Sequence, residues 1–222
     1  MEDVALVVCD LAGTTVEDEG QVPDAFAAAL GACGVEVTAE QLRLVRGASK
    51  REAIRSFIPA GPHHARDAQA AYGHFCRLLR QRYSQAGVRP IPGALAIFEW
   101  LRKQDVRVAL NTGFDRDITG MLLEALGWAG GTIDAVVCGD EVPQGRPAPH
   151  MIFRAMEMTG VANVRLVANV GDTALDLQAG HNAGVRWNIG VLSGAHGQRT
   201  LETAPHTHIL PSIASLREVW MR

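Results

Sequence analysis

The stretch Val4-Ala-Leu-Val-Val-Cys-Asp10-Leu-Ala-Gly-Thr-Thr15 decides the fold of this chain. An unbroken run of apolar residues precedes Asp10, so both faces of the segment are apolar. A strand with two apolar faces is typical of the buried centre of a parallel sheet. In open sheets of this kind ligands bind at the carboxyl ends of the strands, which makes Asp10 a candidate site residue.

Similar apolar segments recur along the chain and alternate with helical patterns. We predict strands at 106–110, 133–138, 166–170, 186–191 and 208–210. Asp115 can cap a helix that Gly127 ends, and Thr173 can cap another that Gly184 ends. Pro149 is expected at the first position of a further helix. Alternating strands and helices predict an α/β fold, a three-layer Rossmann-like core with a parallel sheet.

Residues 22–87 interrupt this alternation, because they lack a strand pattern and carry several helix signals. Thr38 with Gln41 and Ser49 with Glu52 have the spacing of capping boxes. A long amphipathic pattern covers 65–83, and segments rich in Gly and Pro bound the region. We therefore predict a helical cap domain at 19–89, inserted into a Rossmann-like core formed by 1–18 and 90–222.

Composition excludes several functional classes. The 222 residues carry a net charge of −3, with 47% hydrophobic and 20% charged residues, which indicates a globular chain without the cationic surface that nucleic acids require. No apolar run approaches the roughly 18 residues of a membrane span. The start Met1-Glu2-Asp3 is acidic where a secretory signal is basic, which predicts a cytoplasmic protein. The four cysteines and eight histidines show neither Cys-x-x-Cys nor His-Glu-x-x-His spacing.

Polar residues follow successive predicted strands, and together they suit phosphoryl transfer. Asp10 is a carboxylate that can attack phosphorus, and with Asp172 it offers the oxygen ligands that Mg²⁺ prefers. Thr112 and Arg146 can bind phosphate oxygens. Asp176 lies one helical turn after Asp172, where it can hold a metal-bound water or orient its neighbours.

Four motifs occur in the order found in the haloacid dehalogenase superfamily, which this chain resembles. They are Asp10-Leu-Ala-Gly-Thr-Thr, Asn111-Thr-Gly, Gly145-Arg-Pro and Gly171-Asp-Thr-Ala-Leu-Asp176. The resemblance implies a Mg²⁺-dependent hydrolase that forms an aspartyl phosphate, with a helical cap between the first two motifs. Ala12 stands where most phosphatases of this superfamily carry an acidic residue that protonates the leaving group.

Ala12 and two further segments resemble the phosphonatase branch, the phosphonoacetaldehyde hydrolases. The segments are Glu141-Val-Pro-Gln-Gly-Arg-Pro-Ala-Pro149 and Gly47-Ala-Ser-Lys50. The resemblance implies cleavage of a carbon–phosphorus bond in phosphonoacetaldehyde or a related carbonyl compound, with a Schiff base at Lys50. It also implies a homodimer formed through the cap.

The expected site combines these assignments. Catalytic roles are expected for Asp10, Lys50, Thr112 and Arg146, and substrate binding for Ala12, Gly13, Thr14, Arg46, Gly47, Asn111 and Gly113. The Mg²⁺ site is expected at Asp10, Ala12, Asp172 and Asp176.

Lys50 has local features that suit a nucleophilic amine. Ser49 is the predicted N-cap, so the lysine lies at the positive end of a helix dipole, which disfavours the ammonium form. Burial against the core would lower the pKa of Lys50 further. An imine would accept the electrons of the broken carbon–phosphorus bond, which explains why position 12 needs no acid.

Several positions depart from the phosphonatase pattern and leave the substrate open. Ala53 replaces a catalytic His, Arg46 a Met and Phe114 a Tyr, and a cap Cys has no counterpart near Gly20-Gln21. Arg46, Arg51 or Glu52 are candidates to replace the missing proton relay. Arg46 is also suited to bind a carboxylate or a second phosphate of the substrate.

Three other functions compete with phosphonate cleavage. A phosphomonoesterase without an acid at Ala12 would favour good leaving groups such as aryl or acyl phosphates. A non-catalytic sensor of a phosphorylated metabolite is the alternative from another class, although all four motifs are intact. A dehalogenase is disfavoured because Asp172 retains a metal site that such enzymes do not use.

Overall fold

The computed structural model describes residues 4–128 and 130–220, so the acidic start Met1–Asp3 lies outside the described residues. Within them, six parallel strands form one sheet in the order β3-β2-β1-β4-β5-β6. The strands are β1 (Leu6–Asp10), β2 (Arg107–Thr112), β3 (Ala135–Cys138), β4 (Val167–Gly171), β5 (Trp187–Val191) and β6 (His208–Leu210). This confirms the predicted parallel sheet with the first strand at its centre.

Ten α-helices accompany the sheet within the described residues. They are α1 (Gln21–Gly31), α2 (Ala39–Leu44), α3 (Lys50–Phe57), α4 (His64–Ala86), α5 (Ala94–Arg102), α6 (Arg116–Ala125), α7 (His150–Thr159), α8 (Ala174–Ala183), α9 (Gln198–Glu202) and α10 (Leu216–Trp220). No helix of the described part of the chain is both long and apolar enough to cross a membrane.

The side chains of β1 point alternately to the two faces of the sheet, and each face has its own hydrophobic cluster. Val7 and Cys9 belong to a cluster with residues of α5, α6 and α10. Leu6 and Val8 face the opposite way, into a cluster with residues of α7 and α8. Alternate residues of one strand thus bury against helices on both faces of the sheet, as the unbroken apolar run predicted.

Most helix boundaries follow the predicted signals. The Thr173 side chain accepts a hydrogen bond from Asp176 N–H at the start of α8, and Gly160 and Gly184 end α7 and α8 in the left-handed conformation. The prediction for Pro149 was off by one position, because it occupies the N-cap of α7 rather than the first helical position. Helix ends of this kind commonly differ by one residue between criteria.

Helices α1 to α4 form a helical insert between β1 and β2, and all four fall inside the predicted range 19–89. Thr38 and Gln41 make the reciprocal bonds of a capping box, and Ser49 Oγ accepts from Glu52 N–H at 3.4 Å. Helix α4 buries Phe75 and Leu79 in the cluster that also contains Phe26 of α1. The apolar face of the 23-residue helix therefore holds the insert together.

Two crossing segments connect the insert to the sheet. Val16 pairs with Pro90 in an isolated antiparallel bridge. The Arg89 side chain reaches Glu17 at 2.7 Å and Glu19 at 2.6 Å, so the two segments are also joined by charge. The division into two domains at 18/19 and 89/90 coincides with these segments and stays a prediction.

Candidate active site

The carboxyl ends of the strands meet the start of α3 around a cavity of about 30 Å³. In the register, Asp10 of β1 lies opposite Asn111 of β2, and β4 flanks β1 on its other side, so the residues that follow these strands are neighbours. The cavity is lined by Asp10, Ala12, Asp18, Val22, Arg46, Gly47, Lys50, Thr112, Gly113, Phe114, Arg146, Asp172 and Thr173.

We call the part of the cavity formed by the residues that follow the strands the core side, and the part formed by α3 and the segments before it the insert side. Arg146 is the central cation of the core side, and it is only 4% exposed. Its Nη2 lies 2.7 Å from Asp10 Oδ1, and its Nε lies 2.9 Å from Asp176 Oδ1. It also donates to Asn111 Oδ1 at 2.5 Å and to the Gly47 carbonyl at 3.2 Å. Arg146 therefore fixes the orientation of Asp10 and connects the sheet to the insert.

Asp172 is held by two donors from opposite ends of the chain. Thr14 Oγ1 donates to Asp172 Oδ1 at 3.0 Å, and Ala195 N–H donates to Asp172 Oδ2 at 2.7 Å. A Cβ at Gly13 would lie 2.5 Å from Asp172 Oδ2, and this glycine has φ +96°. Gly13 and Thr14, predicted to bind substrate, thus lie behind Asp172 rather than in the cavity lining.

Sequence reasoning missed the loop after β5. Ser193 Oγ donates to the Gly13 carbonyl at 2.8 Å, and His196 N–H donates to the Asp172 carbonyl at 3.2 Å. Ala195 N–H belongs to the same loop, so the loop holds both the carboxylate and the backbone carbonyl of Asp172. The rule that ligand sites gather at strand ends could have found the loop, since it directly follows Val191.

Asp10 and Asp172 concentrate negative charge in a buried place. Burial raises the pKa of Asp10 to about 6, and the neighbouring Arg146 opposes that rise. Burial, followed by the charges of Asp10 and Asp176, raises the pKa of Asp172 to about 8. Two carboxylates that repel each other beside one cavity fit a hard divalent cation, which would offset both charges.

The metal site would use few side chains. Within 4–128 and 130–220, no group of three or more His, Cys, Asp or Glu residues is arranged to hold an ion. Asp10, Asp18 and Asp172 are the carboxylates of the lining, and Asp18 pairs with Arg46, which leaves Asp10 and Asp172 as the candidate ligands. Ala12, whose only side chain is a methyl group, lines the cavity too. Backbone and water oxygens would have to complete the octahedral shell that Mg²⁺ requires.

Asp176 has a different position from the other predicted metal ligands. Its Oδ1 faces Arg146 Nε, and its Oδ2 accepts from the backbone N–H and the hydroxyl of Thr173. Both oxygens are therefore engaged, and the side chain is absent from the cavity lining among the described residues. Of the two roles predicted for Asp176, the geometry favours orientation of a neighbour, Arg146.

The second motif contributes Thr112 and Gly113 to the cavity, while Asn111 lies behind it. Thr112 is 2% exposed, and its Oγ1 accepts from Phe114 N–H at 3.2 Å. Asn111 accepts from Arg146 through its side chain, so it positions that cation. These contacts leave the Thr112 hydroxyl proton free to donate to a ligand oxygen.

Lys50 reaches the cavity from the insert and is only 8% exposed. Its backbone N–H donates to the Gly113 carbonyl at 3.0 Å, and its Nζ donates to the Ala48 carbonyl at 3.0 Å. Burial lowers the pKa of Lys50 to about 8; the charges of Arg46 and Arg146 lower it too, and that of Asp10 opposes them. The predicted fall in the pKa of Lys50 is thus found, with burial as its main cause.

Two glycines allow the insert to approach the core closely. A Cβ at Gly47, which has φ +84°, would lie 2.3 Å from Thr173 Oγ1. A Cβ at Gly113 would lie 2.3 Å from the Ala48 carbonyl oxygen. Both residues were predicted to bind substrate, and the structure adds a steric reason for glycine at each position.

Asp18 is a cavity residue that the sequence analysis did not single out. Its Oδ2 lies 2.9 Å from Arg46 Nη2, and its Oδ1 accepts from the N–H groups of Gly20 and Val22. Arg46, which is predicted to bind substrate, lines the cavity as well. Asp18 was missed because an acidic residue in a charged connecting segment has no distinctive local pattern.

Ala53 is buried on α3 and offers no group that can carry a proton. Of the suggested replacements for the missing relay, Arg51 and Glu52 do not line the cavity within the described residues. Arg51 instead pairs with Asp115 at 2.6 Å and lies over the Tyr72 ring at 4.3 Å. Arg51 therefore fastens α3 to α6 and α4.

Comparison with known proteins places this geometry in a family. A family model described as haloacid dehalogenase-like hydrolase matches residues 7–189. The phosphonoacetaldehyde hydrolase of Paraburkholderia xenovorans (strain LB400) is 30% identical over 206 residues, which cover 86% of this chain and 76% of that protein. The phosphonoacetaldehyde hydrolase of Syntrophobacter fumaroxidans is 31% identical over 201 residues, covering 85% and 72%.

A solved structure shows the same fold over nearly the whole chain. The crystal structure of a phosphonoacetaldehyde hydrolase-like protein from Oleispira antarctica superposes with a TM-score of 0.85 at 24% identity, covering 98% of this chain and 91% of that one. The family model covers most of the chain and contains the four strand ends that build the cavity. The chain therefore belongs to the haloacid dehalogenase-like hydrolases and is an enzyme of that family.

Proposed function

We propose that this hydrolase cleaves the carbon–phosphorus bond of a small phosphonate that carries a carbonyl group, of the phosphonoacetaldehyde class. The observation that carries the proposal is Lys50, a buried amine with a lowered pKa that shares a cavity with the carboxylate of Asp10. The relatives named phosphonoacetaldehyde hydrolase support the same substrate class.

On the core side, Asp10 attacks phosphorus and forms an aspartyl phosphate. Arg146 and the Thr112 hydroxyl bind the phosphoryl oxygens and offset their charge as it develops. Mg²⁺, bound by Asp10 and Asp172, would supply further charge neutralisation of the phosphoryl group. Water then hydrolyses the aspartyl phosphate and regenerates the carboxylate.

On the insert side, Lys50 forms an imine with the substrate carbonyl. When the carbon–phosphorus bond breaks, its electron pair moves into the imine and gives an enamine. The enamine takes a proton at carbon, and water hydrolyses the resulting imine to release the aldehyde and the Lys50 amine. No alkoxide leaves, so no acid is required to protonate one. Ala12 in the cavity lining is consistent with this reaction and inconsistent with efficient hydrolysis of an unactivated phosphate ester.

The size of the cavity implies that the insert moves during turnover. A volume of about 30 Å³ has room for a few water molecules, which is narrow for a phosphonate. We propose that the insert acts as a cap over 19–89, opening to admit substrate and closing to exclude water. We further propose a cytoplasmic enzyme without nucleic-acid or membrane partners, with a homodimer through the cap as its assembly.

Trapping the imine tests this function directly. The protein is incubated with Mg²⁺ and phosphonoacetaldehyde, treated with borohydride and measured by intact mass. The sequence holds two lysines, Lys50 and the exposed Lys103, so peptide mapping of the adduct has to distinguish only these two side chains and the N-terminal amine. We expect phosphate release together with an adduct at Lys50.

A pair of variants completes this experiment. Lys50→Ala should lose the adduct and phosphonate cleavage but keep hydrolysis of an activated aryl phosphate, since the core side is intact. Lys103→Ala, the same change at the other lysine, should leave all three unchanged. Equal loss of both reactions in Lys50→Ala would reject the imine in favour of a phosphate-binding or structural lysine.

A phosphomonoesterase acting on good leaving groups is the second candidate. Ala53 favours it, because this buried position on α3 offers no proton carrier for imine chemistry. This candidate predicts aryl or acyl phosphate hydrolysis with no borohydride adduct on phosphonoacetaldehyde.

A further inference from the structure

Imine formation at Lys50 requires two protons to move from nitrogen to oxygen. The ammonium group carries three hydrogens, whereas the protonated imine keeps one on nitrogen. The other two leave with the carbonyl oxygen as water. Neither atom completes this transfer alone, so a group within the cavity has to accept a proton and return it.

The described residues that line the cavity include six ionisable side chains. They are Asp10, Asp18, Arg46, Lys50, Arg146 and Asp172. The two arginines stay protonated in proteins and cannot accept a proton. Asp10 and Asp172 are engaged by phosphoryl transfer and by the metal in the proposed function. Asp18 remains as the carboxylate available on the Lys50 side.

The contacts of Asp18 leave its carboxylate able to accept a proton from the cavity. Its side chain is 3% exposed, so it is shielded from bulk water. It accepts from Gly20 N–H at 3.3 Å, from Val22 N–H at 3.1 Å and from Arg46 Nη2 at 2.9 Å. A carboxylate has about four acceptor sites, so one remains for a proton from the cavity.

We propose that Asp18 is the proton carrier for imine formation at Lys50, an inference that rests on the proposed function. Asp18 takes a proton from the Lys50 ammonium, and the free amine attacks the carbonyl carbon while the carbonyl electron pair moves to oxygen. That oxygen takes the proton from Asp18. Asp18 then accepts a second proton from nitrogen and delivers it to the hydroxyl, which leaves as water while nitrogen and carbon form the imine.

A purely structural role explains only part of this arrangement. The bonds from Gly20 and Val22 hold the start of α1, and an exposed aspartate could accept them equally well. They do not require a side chain that lines the cavity beside Lys50. A test must therefore separate proton transfer from the anchoring of α1.

Proton transfer can be separated from the anchoring of α1 by measuring how fast the adduct with phosphonoacetaldehyde forms. The reaction is quenched with borohydride at short times. In Asp18→Asn the amide oxygen can still accept from Gly20 and Val22, but the side chain cannot carry a proton. We expect adduct formation and phosphonate cleavage to slow by about 10²- to 10⁴-fold, the usual range for general acid–base catalysis. Hydrolysis of an activated aryl phosphate should keep its rate.

Asp24→Asn is the matched control, because Asp24 lies in the first turn of α1 and its side chain is 62% exposed. This substitution should leave adduct formation unchanged. Formate added to Asp18→Ala should restore adduct formation in a saturable way, which an anchoring role does not predict. Wild-type rates in Asp18→Asn, or equal loss of aryl phosphate hydrolysis, would overturn the proposal. If the wild-type enzyme itself forms no adduct, the proposed function fails instead.

Discussion

The two sides of the cavity are built differently. On the core side, Arg146 contacts Asp10, Asp176 and Asn111, while Asp172 has donors from two loops. On the insert side, Lys50 Nζ donates to a carbonyl only two residues away. The reactive groups of the core side are thus held by contacts distant in sequence, whereas the Lys50 amine itself is held by a local one. We infer that phosphoryl transfer depends mainly on the residues that follow the strands, whereas the carbonyl chemistry depends on how the insert packs against the core.

The largest effect should come from the core side. Asp10→Asn removes the nucleophile, so hydrolysis of both the phosphonate and an aryl phosphate should fall by about 10⁴-fold or more. The amide is nearly isosteric, and thermal unfolding should show an intact fold. Steady-state assays on both substrates check this, with Asp117→Asn, whose side chain is 85% exposed, as the control. Retained activity would remove the covalent mechanism.

Stability provides a second way to compare the two sides. Arg146→Met leaves Asp10 and Asp176 buried without their cation, which should cost about 3–5 kcal/mol of unfolding free energy. Arg46→Met breaks the ion pair with Asp18 and should cost less, because one carboxylate rather than two loses its cation and Asp18 keeps the N–H donors of Gly20 and Val22. Urea unfolding of both variants at pH 7 measures the difference. Equal losses would show that the insert side is as tightly coupled as the core side.

The sequence predicted the sheet well because its signals are local. An apolar run marks each buried strand, and Thr173 and Gly184 mark the ends of α8 within a few residues of their effect. Strand-end reasoning also selected Asp10, Arg146 and Asp172, and the structure brings these three together. Parallel topology alone makes neighbours of residues that lie far apart in the chain.

The missed residues are those whose role depends on a partner distant in sequence. The Asp18 carboxylate is held in place by its ion pair with Arg46. Ala195 donates to Asp172 through its backbone N–H, so the identity of its side chain gives no sign of this contact. The same limit applies to Thr14 and Asn111, because their sequence could not show that they lie behind Asp172 and Arg146. Motif membership identified these residues, and tertiary contacts determine what each one touches.

The smallest expected effect concerns pH and the insert side. Only the neutral amine of Lys50 attacks a carbonyl, and burial lowers its pKa to about 8. Adduct formation should therefore rise with pH and level off above this value. The positive charge of Arg46 also lowers the pKa of Lys50, so Arg46→Met should move the profile to higher pH.

The rate of borohydride-trapped adduct measured against pH separates this effect from others. Removing Arg46 also frees Asp18, which changes the height of the plateau, whereas the charge of Arg46 acts on the midpoint. Arg82→Met, which removes an exposed cation of α4, should leave the midpoint in place. A midpoint that moves to lower pH in Arg46→Met would contradict this electrostatic account. A shift confined to the carbonyl reaction would show that the two sides of the cavity titrate separately.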